Sequence, residues 1–83
     1  MEPTDALKRY AKVVSTSILA AETPPLDGAR RIWRATLYVG AHGWHDLDAF
    51  IYAASEAESR PEDRQFFEAA ILKEARKWAR ADV

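Results

Sequence analysis

Apolar residues recur at helical spacing through most of this chain, most cleanly at its C-terminal end. Phe67, Ile71, Ala75 and Trp78 fall on one face of a helix that runs to about Arg80. Ser59-Arg-Pro-Glu62 ahead of it has the form of a capping box, with Pro61 in the first turn, where its missing N–H costs little. Glu62 and Asp63 at the start, with Lys73, Arg76, Lys77 and Arg80 at the end, complement the helix dipole. Before this segment, Leu47, Phe50, Ile51 and Ala54 form the apolar stripe of a helix reaching about Glu58, with Asp46 as its expected cap. The connection Glu58–Arg60 is short, so these two helices are expected to be antiparallel neighbours.

The N-terminal half admits two readings. Leu7, Tyr10, Ala11, Val14 and Ile18 share one side of a helix capped by Thr4 or Asp5, although the β-branched and hydroxyl residues of Val13-Val-Ser-Thr-Ser-Ile18 are poor helix formers. Thr23-Pro-Pro-Leu-Asp-Gly28 reads as a turn. The segment Arg30 to Val39 is then either a helix capped by Asp27 and closed by Gly40, or a strand with Trp33, Ala35, Leu37 and Val39 on one face. Low glycine, absent asparagine and abundant alanine favour helix. The expected fold is all-α: one compact four-helix domain over 1–83, with helices near 5–21, 28–39, 46–58 and 60–80. The alternative is an α+β domain in which 12–21 and 30–39 pair as a hairpin on the two C-terminal helices.

Composition narrows the function classes. Hydrophobic content of 48% with 30% charged residues is that of a globular chain rather than a disordered one. With no cysteine there is no disulfide framework and no thiolate zinc site, which suits a cytoplasmic protein. The uncharged run Val13 to Ala21 is far too short to span a bilayer, and the first residues lack the basic start and apolar stretch of a signal peptide, so no membrane partner is expected.

Chemistry has one candidate window, Gly40-Ala-His-Gly-Trp-His-Asp46, which holds both histidines. His42 and His45 are imidazole ligands in principle, with Asp46 or Asp48 as oxygen donors. A zinc site wants three or four preorganised ligands, and a glycine-rich linker that leads into the next helix is the simpler account. No metal or other cofactor is expected. There is no nucleophile elbow and no phosphate loop. The i,i+2 carboxylate pairs Asp46/Asp48 and Glu56/Glu58 point apart on a helix, so no catalytic residue is assigned and the chain is read as a non-enzyme.

Two binding classes remain. Lys73, Arg76, Lys77 and Arg80 make one basic helical stripe, and Arg30, Arg31 and Arg34 flank Trp33, a pairing able to hold phosphate and stack on a base. Against nucleic acid stand a net charge of −1 and an acid-rich middle in which Asp46, Asp48, Glu56, Glu58, Glu62 and Asp63 cluster. Those acids also admit a phosphate-mimicking face, though the overall charge is too small for a dedicated mimic. Protein binding has the wider support. Trp33, Tyr38, Trp44, Tyr52, Phe66 and Trp78 are more large rings than a small core readily holds, and Trp, Tyr and Arg are the residues that most often carry interface energy. The expectation is a docking module, such as a regulator or inhibitor, that blocks or recruits another protein or a second copy of itself. Its partner-binding face is Arg30, Arg31, Trp33, Arg34, Tyr38 and Trp44. Nucleic-acid binding through Arg30, Arg31, Arg34 and the Lys73–Arg80 stripe is the alternative.

Overall fold

The helical spacing is realised as four α-helices in a computed structural model that describes residues 3–40 and 44–82: α1 (Pro3–Leu19), α2 (Pro25–Val39), α3 (Asp48–Ser59) and α4 (Arg64–Ala79). A single 3₁₀ turn, Pro61–Asp63, leads into α4, and no strand occurs among the described residues. The hairpin alternative is therefore not what the chain builds. Tertiary burial overrides propensity in α1, where Val14 and Ile18 are both buried. The Thr16 hydroxyl donates back to the Lys12 carbonyl at 2.9 Å, giving one of the poor helix formers a local partner.

Prolines place two of the helix boundaries, and each differs from the sequence expectation. Pro24 is extended (φ −59°, ψ 143°), as a residue before proline prefers, and Pro25 occupies the first turn of α2. Gly28 N–H donates to Pro24 O at 3.0 Å, so Pro25–Gly28 is the first turn of a helix rather than a turn ahead of one, and Asp27 lies inside that helix instead of capping it. Pro61 likewise pushes Arg60 out of the helical region (φ −132°, ψ 71°). The break falls there, α3 runs through Ser59, and Ser59 closes one helix rather than capping the next. At the start of α3 the cap position is Leu47, with no side-chain cap bond, so Asp46 does not serve as the cap.

The C-terminal ends are better matched. Gly40 sits in the left-handed region (φ 69°) and donates to Thr36 O at 3.1 Å, closing α2 as expected. At the end of α1 the same position falls to Ala21, at φ 61°. Its N–H donates to Ile18 O and the Glu22 N–H to Ser17 O, both at 3.0 Å, which is a complete Schellman closure built on alanine. Thr23 is buried beneath it, its hydroxyl 2.6 Å from that of Ser17.

Each helix packs on its neighbour in sequence, and α4 closes the bundle against α1. Lys12 Nζ donates to the carbonyl of Ala81 at 2.8 Å, and Asp82 shares a cleft with Asp5, Lys8 and Arg9, so the chain leaving α4 lies beside the first turns and middle of an antiparallel α1. The interior is built from Leu7, Ala11, Val14 and Ile18 of α1, Leu26, Ala29 and Ile32 of α2, Leu47 with Phe50, Ala53, Ala54 and Ala57 of α3, and Phe67, Ile71, Ala75 and Trp78 of α4. The expected C-terminal stripe is thus entirely buried. Alanines at the crossings let the helices approach, and Phe50 and Phe67 fill the space between them. Tyr10, expected on the core face, sits at its margin. No described helix is long and apolar enough to cross a membrane.

Gly28 marks the tightest approach. A Cβ there would lie 2.5 Å from Ile18 Cδ1, 2.8 Å from Ile18 Cγ1 and 3.1 Å from Val14 Cγ1, both residues being buried. Gly28→Ala gains about 1 kcal/mol of helix propensity but loses more to overpacking, which costs about 1–3 kcal/mol. We expect urea unfolding followed by far-UV circular dichroism to show a net loss of about 1 kcal/mol for Gly28→Ala and a larger one for Gly28→Val. A stabilised Gly28→Ala variant would show that α2 does not press on α1. Ala21→Gly, which relieves a left-handed alanine, is expected to raise stability by about 1 kcal/mol in the same assay.

Candidate docking surface

Burial fades along α2. Leu26, Gly28, Ala29 and Ile32 in its first half are buried, whereas Leu37, Tyr38 and Val39 near its end are exposed. The core-facing set thus sits mostly ahead of the expected Arg30–Val39 segment, in the turns that the earlier start at Pro25 adds to the helix. Beyond Ile32 the regular helix carries surplus apolar surface, and Tyr38 at 94% exposure is its extreme.

That surplus forms a shallow groove. Ala35, Tyr38 and Val39 of α2 face Tyr10 of α1 across about 360 Å³, and Arg31 and Arg34 edge it. Arg31, Ala35 and Tyr38 are spaced i, i+4 and i+7, so one side of α2 supplies the wall. Tyr10 reaches it because α1 and α2 are antiparallel: Ile18 meets Gly28 at one end, and Tyr10 comes level with the last turns of α2 at the other. On the opposite flank, Trp33 and Leu37 line a second small cleft with Arg30, Arg34 and Glu58. Arg34 borders both.

The three arginines are not equivalent. Arg30 lies 3.5 Å from Asp27 Oδ1 and 3.5 Å from Glu58 Oε1, an ionic link between α2 and α3 that occupies its charge within the chain. Arg31 and Arg34 form no ion pair among the described residues and are exposed. The groove thus combines an apolar floor with two uncommitted guanidinium groups and two phenols.

The remaining candidates sort differently. Trp33 and Trp44 are partly buried against the core rather than presented outward, and Trp78 is buried, its indole N–H donating to Glu74 Oε1 at 3.2 Å. The indoles are consequently part of the packing, and the exposed rings are Tyr38, Tyr52, Phe66 and, at 38%, Tyr10. Tyr52 and Phe66 both stand edge-on to Phe67, making a separate apolar patch on α3 and α4. Lys73, Arg76, Lys77 and Arg80 are all exposed on the face of α4 opposite its buried stripe, with Lys77 3.6 Å from Glu74. Among the clustered acids, Glu56, Glu58 and Asp63 each pair with an arginine of the same chain, and Asp48 lies beside the His45 imidazole. His42 lies outside the described residues. His45 Nδ1 lies 3.0 Å from Asp48 Oδ2 on an exposed surface, and no group of three or more metal-ligating side chains occurs among the described residues.

Tyr10 is the groove residue that sequence reasoning misplaced. Its ring lies at the edge of the Leu7/Ala11/Val14/Ile18 stripe, and a phenol at the margin of an apolar face is the signal for a position half in and half out of a core. Leu37 and Tyr38 fall off the apolar stripe of a helical 30–39 segment, whereas Val39 falls on it and is exposed all the same.

No family model, curated protein or solved structure matches this chain.

The two aromatic residues singled out on α2 should separate cleanly by stability. Tyr38→Ala is expected to leave unfolding free energy within about 0.5 kcal/mol of the parent, as exposed substitutions do. Trp33→Ala, which removes a ring packed on the core, should cost about 2 kcal/mol or more in denaturant unfolding read by circular dichroism. Equal effects would place both rings in the same environment, contrary to their different burial in the bundle.

Proposed function

We propose that this chain is a small non-enzymatic docking protein that binds another macromolecule through the second half of α2 and thereby blocks or recruits it. The observation that carries this reading is the groove of Tyr10, Ala35, Tyr38 and Val39 edged by Arg31 and Arg34. Exposed aromatic and arginine side chains on a rigid helix are the composition from which interface hot spots are drawn. A continuous apolar surface rimmed by polar groups marks a contact site more often than scattered single residues do. A regulatory or inhibitory role, exercised by occupancy in the cytoplasm, fits a groove carried on a helix pinned to the bundle by Leu26, Ala29 and Ile32.

The working face is narrower than the sequence expectation. Arg31, Arg34 and Tyr38 act with Tyr10 and Val39. Arg30 is left out because its charge is paired with Asp27 and Glu58, and Trp33 and Trp44 because they support the fold. The competing proposal, nucleic-acid binding by the Lys73, Arg76 and Arg80 stripe, draws on the absence of in-chain ion pairs for these three among the described residues.

Quantitative affinity capture from the native host, comparing the parent with an Arg31→Glu/Arg34→Glu/Tyr38→Ala variant of unchanged circular dichroism, tests the proposal. Partners held by the parent should be lost from the variant and kept by Arg76→Glu/Arg80→Glu. Retention by the groove variant, with loss from the α4 variant and sensitivity to nuclease, would transfer the function to the basic stripe.

A further inference from the structure

We propose that the occupant of the α1–α2 groove is an acidic protein segment, one whose apolar or aromatic anchor is flanked by Asp or Glu. This rests on the docking function proposed above and names the chemistry of its partner. Every polar side chain lining the groove is a hydrogen-bond donor: Arg31 and Arg34 donate only, and the Tyr10 and Tyr38 hydroxyls can donate. No carboxylate lines it, in contrast to the neighbouring clefts, which contain Asp27 and Glu58. The complementary surface therefore offers acceptors bearing negative charge around an apolar centre. Arg31 and Arg34 are one helical turn apart, so two carboxylates on successive turns of a partner helix match their spacing.

Two other occupants fit less well. A second copy docked by a two-fold axis, the commonest homodimer symmetry, would bring the same patch face to face and set Arg31 and Arg34 against their own counterparts with no acid in the groove to neutralise them. A nucleic acid would gain little here. Two phosphate contacts give a salt slope of only about −1.4 to −1.8, a small share of the counterion release that drives nucleic-acid binding. The exposed basic stripe of α4, centred on Lys73 to Arg80, does not line this groove and cannot extend it.

Selection of a random peptide library displayed on phage against the immobilised full chain tests the inference. Enriched peptides should carry Asp or Glu beside Leu, Phe, Tyr or Trp. A synthetic enriched peptide should lose at least about tenfold in affinity on Arg31→Glu/Arg34→Glu, and on replacement of its own acids by amides, with weaker binding at high salt. A charge-reversed lysine peptide should gain affinity for the Arg31→Glu/Arg34→Glu variant, a rescue that simple damage to the fold would not produce. Enriched peptides that need Tyr38 but show no acidic excess would overturn the acidic partner while leaving the docking groove in place. Peptides indifferent to every groove substitution, or no enrichment at all, would remove both. Displacement of the peptide by a single-stranded RNA, or concentration-dependent dimerisation abolished by Tyr38→Ala, would likewise overturn it in favour of those occupants.

Discussion

The close approach of α1 and α2 at Gly28 is the constraint on which the surface of this protein depends. With no side chain at that position, Ile18 and Val14 lie directly on the backbone of α2. The first half of α2 is thereby drawn into the core with Leu26, Ala29 and Ile32. A straight helix seated at one end must carry its other end wherever its axis leads. Here that end stands clear of the interior, and Tyr10 is the α1 residue that meets it. The groove is thus a geometric consequence of where the two helices touch.

The electrostatic pattern has its origin in the same seating. Arg30, on the flank of α2 nearest α3, finds Glu58 and Asp27. Arg31 and Arg34 edge the groove against Tyr10 of α1, Arg34 bordering the Glu58 cleft as well, and neither has a described acid within ion-pair distance. Exposed pairs of the Arg30 kind contribute little to stability, about 0–1 kcal/mol. Their consequence is selective: they decide which charges remain available to an outside partner. The acid-rich middle of the chain is largely balanced in the same way, through Arg60 with Glu56 and Asp63, and Arg64 with Glu68. Among the described residues, the cations left without an in-chain ion pair include Arg31 and Arg34 on α2 and Lys73 and Arg76 on α4, while unpaired acids such as Asp5, Glu22, Asp46 and Glu62 lie elsewhere on the surface.

The dimensions of the bundle explain why aromatic residues reach the surface at all. The Cα envelope measures 39 × 26 × 16 Å, and a helix with side chains is about 10–12 Å across. The thinnest direction has room for little interior beyond one layer of large side chains. Phe50, Phe67 and Trp78 take that space, Trp33 and Trp44 lean on its edge, and Tyr38, Tyr52 and Phe66 are left outside. A surplus of rings was legible in the composition. The sorting of individual rings was not, since it depends on which flank of each helix a neighbour covers.

Local rules acting within a few residues determined much of this protein. The i, i+4 recurrence of Phe67, Ile71 and Ala75 defined α4, Gly40 closed α2, and Pro25 and Pro61 set helix starts through the restriction proline places on itself and its predecessor. Composition favoured helix over hairpin for Val13 to Ile18, whereas tertiary structure alone decided that Ala21 takes a left-handed conformation, that Arg30 is spent while Arg31 and Arg34 are not, and that Tyr10 joins Tyr38 across a groove. These outcomes depend on contacts between residues distant in sequence. A linear pattern encodes which face of a helix is apolar, but not which neighbouring helix, or none, comes to cover it.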